Sequence, residues 1–264
     1  MTRDAPPMLD RATFLRPIAH RGLHGAPGGG AVENTMRAFS TAVMRGYGIE
    51  CDLRPGKAGL PLVFHDDTLD RLEAGTGDVA GLDERDLYGL GFKDDPSARI
   101  PTFAALLDMV AGRVPLIVEI KSEWEPPQAD FLSAIARIAT QYRGPIALMS
   151  FDPAVMTLMR ILAPSVPRGS VSGDYLRPAA EGDDHWWHEK IDRARAERRT
   201  HLLESGPAEP SFYSYDVRAL PTPVTRYVRE VQGFPIFTWT VRTEADLAVT
   251  RAHADAPTFE GFLA

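Results

Sequence analysis

Residues 115–120 read PLIVEI, and Lys121 follows them. A short aliphatic run of this length, rich in β-branched side chains, is a strand signal. Similar runs occur at 16–20 (RPIAH), 48–53 (GIECDL), 145–150 (PIALMS), 167–172 (PRGSVS), 211–216 (SFYSYD), 235–240 (PIFTWT) and 257–260 (PTFE). The fifth and eighth in chain order are the weakest. Helical patterns lie between most of them. Eight strands with intervening helices predict a closed parallel (β/α)8 TIM barrel, with an open doubly wound sheet as the structural alternative.

The helices carry their own punctuation. One begins near Asn34, with Met36, Phe39, Val43 and Tyr47 on one face and Gly46 near its end. A second starts at Thr102 and stops at Gly112, and a third spans about 127–143. Asp152 and Pro153 make an N-cap and a first helical residue for the fourth. A later helix follows Pro221 and ends at Gly233, and the last starts at Thr243 with Asp246 three residues on. Residues 183–204 read as a charged helical segment with Trp186, Trp187 and Ile191 as a narrow apolar stripe.

One insertion interrupts the alternation, over about residues 56–100. A turn at Gly56–Gly59 leads into a short return strand, Leu60–Phe64, and a loop-rich stretch follows from about 66 to 100. Loops that long are usually functional, and a loop after a barrel strand lies on the catalytic face. The 264 residues fit one barrel domain over 1–264. With 44% hydrophobic residues there is ample material for one large core.

A net charge of −7 argues against nucleic-acid or anionic-membrane binding. It leaves room for an anionic substrate in a locally cationic pocket. With Cys51 as the single cysteine, no intrachain disulfide can form, which fits a reducing compartment. No apolar run of about 20 residues occurs, so no membrane insertion is expected and a cytoplasmic location is the default.

Four polar clusters fall at strand ends: His20-Arg21-Gly22, Glu50 and Asp52 flanking Cys51, His65-Asp66, and Glu119 with Lys121. Residues i and i+2 of a strand share a face, so Glu50 and Asp52 point together and Cys51 points oppositely. If the strands bearing Glu50 and Glu119 are neighbours, three carboxylates and one lysine converge at the barrel mouth. Buried acids need partners, and a hard divalent cation serves three carboxylates at once. Taken singly, each element has an ordinary explanation. A histidine after a strand is commonly a satisfied cap, Glu50 and Asp52 can pair with Arg54 or Arg37, and Lys121 can be a solvated strand-end charge. Their joint placement on one rim is what carries information.

Together with Glu33-Asn34-Thr35, these clusters resemble the ordered signature of the glycerophosphodiester phosphodiesterase family, among the PI-PLC-like phosphodiesterase barrels. The resemblance is strong across residues 17–121 and thins to Ser150-Phe151 and Trp239-Thr240-Val241 beyond. It implies a hydrolase of lipid metabolism that cleaves glycerophosphodiesters to glycerol 3-phosphate and an alcohol. Glu50, Asp52 and Glu119 would bind Mg2+ or Ca2+, with Mn2+ as a further choice, and His20 and His65 would act as general acid and base. Arg21, Lys121 and Trp239 would contact substrate or phosphate, and Glu33 and Asn34 would shape the site. The family's route has the glycerol 2-hydroxyl attack first, giving a cyclic phosphate that water opens.

Two positions depart from the family pattern. Arg242 stands where Asn is usual, and Asp255-Ala-Pro-Thr-Phe-Glu260 replaces a segment resembling Asp-Gly-Ile-Ile-Thr-Asp. Both are expected where the alcohol is read. Alternative readings are a lysophospholipase D or sphingomyelinase D-like phosphodiesterase, a non-haem iron oxygenase with two His and one carboxylate, and a catalytically silent phosphate-binding barrel.

Overall fold

A computed structural model describes residues 7–72, 75–124, 126–177 and 191–264. Its strands are β1 (Ile18–Ala19), β2 (Gly48–Pro55), β3 (Pro61–Val63), β4 (Leu116–Ile120), β5 (Ile146–Ser150), β6 (Arg168–Ser172), β7 (Phe212–Asp216), β8 (Ile236–Val241) and β9 (Ala256–Phe259). β3 is the return strand foreseen at Leu60–Phe64. It pairs antiparallel with β2 and stays outside the ring. The other eight are parallel, in the order β1-β2-β4-β5-β6-β7-β8-β9, and β1 closes the ring by pairing with both β2 and β9. The closed barrel therefore stands and the open sheet does not.

Most of the expected helix starts are found, several with the cap made. Thr35 accepts from Ala38 N to start Met36–Met44, and Thr102 accepts from Ala105 N to start Phe103–Val110. Ala129–Gln141 is the third helix. Asp152 caps Pro153–Leu162, and Thr243 with Asp246 forms a capping box for Glu244–His253. The helix after Pro221 differs from expectation. Pro223–Arg226 is α-helical and continues as a π turn over Tyr227–Val231. In the charged segment, Arg193–Thr200 is helical and Ile191 packs near Tyr175 and Ala196. Trp186 and Trp187 lie outside the described residues.

Strand parity divides the core. Ile18, Ile117, Ala147, Met149, Val171, Phe212, Phe237 and Ala256 form one apolar cluster with Leu9 and Phe14 of the N-terminal segment. On β1, β4, β8 and β9 these residues stand two or four positions before His20, Glu119, Trp239 and Glu260, so one inward face runs from packed core to polar mouth. The opposite parity, including Cys51, Leu53, Val118 and Ile120, packs against the helices in a larger cluster with Phe39, Phe103 and Ile135. The insertion has an apolar centre of its own, made of Leu62, Phe64, Leu69, Val79, Leu87, Phe92 and Ile100. Between those anchors its described residues include short helical turns, Val79–Gly81 and Asp86–Gly89, and an isolated bridge between Thr68 and Asp78. Among the described residues no helix is long and apolar enough to cross a membrane.

Cys51 is fully buried on the helix-facing side of β2, and burial pushes its thiol pKa well up, with Glu50 and Asp52 adding to the shift. A thiol reagent should therefore modify native protein no faster than it unfolds. Cys51→Ala should cost about 1 kcal/mol of stability with turnover unchanged. Rapid modification of the native thiol would place Cys51 on the wrong face.

Candidate active site

The parallel register of β2 and β4 sets Asp52 opposite Glu119 and Glu50 opposite Ile117. Glu50, Asp52 and Glu119 consequently each offer an oxygen within 4.8 Å of the others, and all three are buried. Two cations face them. Lys121 Nζ lies 2.8 Å from Asp52 Oδ1 and 2.7 Å from Glu119 Oε1, and Arg21 Nε lies 3.2 Å from Asp52 Oδ2. Asn34 Nδ2 donates to the same Asp52 oxygen at 2.9 Å.

The charges are unevenly compensated. Glu50 receives one hydrogen bond, from Arg21 N to Oε2 at 2.9 Å, while its Oε1 is buried without a hydrogen-bond partner. Burial, then Asp52 and Glu119, raise the Glu50 pKa well above the carboxylate range. For Asp52, burial works the other way from its neighbours, and Lys121 leads the cations that hold it well below that range. Glu119 is raised, mainly by burial. Lys121 keeps its proton against burial because Asp52 and Glu119 sit beside it.

The chain reaches this geometry through two left-handed residues, Arg21 (φ 52°) and Asn34 (φ 54°). Non-glycine residues rarely adopt that conformation, which concentrates at functional sites. Their backbones meet: Asn34 N donates to Arg21 O at 2.9 Å. Gly22 (φ 77°) completes the turn, and a Cβ there would lie 2.9 Å from the Ala38 carbonyl carbon. Glu33 clamps Arg21 through Oε1 at 2.7 Å and also binds Arg71. Against the upward pull of burial, Arg71 and Arg21 hold Glu33 down to about 2.

Each predicted histidine has a carboxylate on Nδ1. His65 Nδ1 is 2.7 Å from Asp66 Oδ1, and Arg71 Nε donates to Asp66 Oδ2 at 2.6 Å. His20 Nδ1 is 2.5 Å from Glu260 Oε2, and its Nε2 lies 3.9 Å from Glu50 Oε2. Burial lowers both imidazole pKa values, that of His65 to about 4 with Lys121 assisting, that of His20 with Arg21 assisting.

His20, Arg21, Glu50, His65, Asp66, Glu119 and Lys121 border a cavity of about 680 Å3 at the C-terminal ends of the strands, the face on which barrel enzymes place their sites. Trp239 stands in its wall, edge-on to Phe151 at 5.2 Å, and its indole donates to Ser172 O at 3.1 Å. The sequence pattern assigns no role to Arg71 or His24 and places Glu260 only within the segment expected to read the alcohol. Arg71 comes from the insertion, where nothing local marks it. For Glu260 a signal existed, because it shares inward parity with Ala256 and Thr258.

Fold and site together define a TIM barrel whose mouth sets two buttressed imidazoles around a buried carboxylate cluster. Over residues 20–256 the chain matches the Glycerophosphoryl diester phosphodiesterase family, and it belongs to that family. It is 31% identical to YhdW of Bacillus subtilis (strain 168) over 166 residues, 59% of this chain and 65% of that protein. It is 28% identical to Glycerophosphodiester phosphodiesterase 1 of Bos taurus over 60% of this chain and 49% of the relative. The chain thus spans from about half to just under two thirds of the length of these curated relatives. An Oleispira antarctica phosphodiesterase, solved in complex with the product sn-glycerol-3-phosphate, superposes with a TM-score of 0.70 at 21% identity, covering 92% of each chain.

The orphaned Glu50 oxygen makes a stability prediction. Glu50's folded pKa lies above its unfolded value, so the folded protein retains a proton that the unfolded chain releases. The resulting penalty is absent below about pH 4.3 and grows as pH rises from there toward the folded pKa. In chelator, Glu50→Gln should therefore be more stable than the parent at pH 7.5, by on the order of 1 kcal/mol, and no more stable at pH 4. Urea melts of both proteins at the two pH values check this; an equal gain at both would show that charge is not its origin.

Proposed function

We propose that this chain hydrolyses glycerophosphodiesters to glycerol 3-phosphate and a free alcohol, with a divalent cation at Glu50, Asp52 and Glu119 and with His20 and His65 moving the protons. The observation that carries the reading is a buried cluster of three carboxylates, Glu50, Asp52 and Glu119, two of which line the cavity together with His20, His65, Arg21 and Lys121.

The donor set suits such an ion. Three hard oxygens converge within 4.8 Å, and Glu50 Oε1 is buried without a hydrogen-bond partner. Oxygen donors of this kind favour Mg2+, Ca2+ or Mn2+. Bound there, the cation neutralises charge on the phosphoryl oxygens.

The protein's own groups account for the other demands of the reaction. Arg21 and Lys121 offer positive charge to the non-bridging oxygens. Asn34 and Glu33 hold Asp52 and Arg21 in place. One imidazole takes the proton of the attacking hydroxyl, which in the family's route is the glycerol 2-hydroxyl, and the other protonates the leaving alkoxide. Water then opens the cyclic phosphate by the reverse assignment. Trp239 and Phe151 form the apolar part of the wall against which the glycerol or alcohol carbons lie.

Chelator-treated protein should release no glycerol 3-phosphate from glycerophosphoglycerol, glycerophosphoethanolamine or glycerophosphocholine. Added Mg2+, Ca2+ or Mn2+ should restore release from at least one of them. His20→Ala and His65→Ala should each lower kcat by roughly 10²–10⁴ with the fold intact. Hydrolysis of lysophospholipid micelles but of no water-soluble diester would shift the substrate class, and hydrolysis of neither would remove the proposed activity.

The same ion should stabilise the fold, because the three ligands are scattered in the unfolded chain. At a cation concentration of about 100 times Kd the linkage contributes about 2.7 kcal/mol, several degrees in Tm for a chain this size. Asp52→Asn should lose most of that rise. A parent melting curve that ignores every divalent ion up to millimolar concentration would contradict a metal site here.

A further inference from the structure

The Glu260 carboxylate is where three basic side chains meet. Oε2 lies 2.5 Å from His20 Nδ1 and 3.6 Å from His24 Nε2, and Oε1 accepts from Arg242 Nε at 2.6 Å. The backbone on both sides is fixed by the barrel. His20 N donates to Phe259 O at 2.9 Å, and Glu260 N donates to Val241 O at 3.1 Å. The ends of β1, β8 and β9 are thus stitched together immediately beside the imidazole.

We propose that Glu260, held by Arg242, is a positioning residue: it fixes His20 as the tautomer protonated on Nδ1 and leaves the Nε2 lone pair facing the reaction site. The assignment rests on the function proposed above for its consequence in catalysis, though not for the tautomer itself.

An ionised carboxylate only accepts hydrogen bonds, so a neutral imidazole held against one carries its hydrogen on the facing nitrogen. Glu260 is held ionised: against burial, the hydrogen bonds to His20 and His24 and then the Arg242 charge keep its pKa far below the usual range. The free nitrogen of His20 is then Nε2, the one directed toward Glu50. His65 shows the same construction independently, with Asp66 on Nδ1 and Arg71 on Asp66. Two imidazole–carboxylate–arginine chains thus serve one cavity, one built on the insertion and the other on the last two strands.

This arrangement also joins Arg242, which stands where the family usually has Asn, to Glu260, which stands where the family's last-strand pattern ends in Asp. Arg242 and Glu260 are not independent changes in an alcohol-reading wall. They are partners in one ion pair, and its outcome is felt at His20. Removing either should disturb the same imidazole, with Glu260 the closer of the two.

The test combines kinetics with nitrogen NMR. Glu260→Ala should lower kcat by roughly 10- to 100-fold while KM stays within about twofold, a range we take as no change in ground-state binding. Glu260→Gln, whose amide oxygen still accepts from Nδ1, should retain more activity than the alanine variant. Arg242→Gln should show a smaller loss in the same direction. Added formate or acetate should restore part of the turnover of Glu260→Ala and none of that of His20→Ala. At a pH where the ring is neutral, the ¹⁵N shifts of His20 should report hydrogen on Nδ1 in the parent and a mixture of tautomers in Glu260→Ala. A parent ring protonated on Nε2, or a folded Glu260→Ala with parental kcat, overturns the assignment. If the parent cleaves no diester, the functional reading fails while the NMR arm still decides the tautomer.

Discussion

Three carboxylates buried within 4.8 Å of one another dominate the energetics of the barrel mouth, and most of the surrounding chain can be understood as compensation for them. Each buried ion carries a desolvation cost of several kcal/mol, returned only when partners are close and well oriented. Lys121 meets two of the three acids, Arg21 reaches one through Nε, and Asn34 supplies a neutral donor. Placing these groups requires left-handed backbone at Arg21 and Asn34. It also requires the Glu33 and Arg71 clamp that brings the insertion down onto the rim. Even so, Glu50 keeps one buried oxygen without a hydrogen bond. A protein that had to be only stable would gain by replacing that acid, so its presence argues for a role in function.

How much of this was legible depends on the range of each interaction. The pair Glu50 and Asp52 could be placed on one face from strand parity alone. Their convergence with Glu119 needed one further assumption, that the two strands are neighbours, which the register of β2 on β4 meets. Helix starts were legible because Thr102, Asp152 and Thr243 act within three residues of themselves. The weak signal at β6 has a packing cause. A Cβ at Gly169 would lie 2.3 Å from the Phe212 ring, so the neighbouring strand supplies the bulk that β6 lacks. Contacts such as His20 with Glu260, 240 residues apart, leave no local trace. The π turn after Arg226 also escaped, because a period of 3.6 still fits Val224, Tyr227, Val228 and Val231.

Burial that makes the carboxylates expensive also acts on the imidazoles, and in the opposite sense for charge. Desolvation favours the neutral ring, and Lys121 and Arg21 reinforce it. The carboxylates on Nδ1 pull the other way without overturning the result. In the substrate-free cavity, then, burial and the neighbouring cations favour the neutral form of both rings. The supporting acids select which nitrogen carries the hydrogen, a choice that burial alone does not make.

The balance changes when an anion occupies the cavity. A phosphodiester carries one negative charge at neutral pH, and the residues able to meet it, Arg21 and Lys121, are among those that depress the two histidines. Charge neutralised on those cations no longer opposes protonation of the rings, while the anion itself favours it. Proton affinity at His20 and His65 would therefore rise with an anion in place, toward the range in which an imidazole both accepts and returns a proton efficiently. On this argument the cations do two things with one charge. In the proposed reaction they would hold the phosphate, and through it they would raise the proton affinity of both histidines.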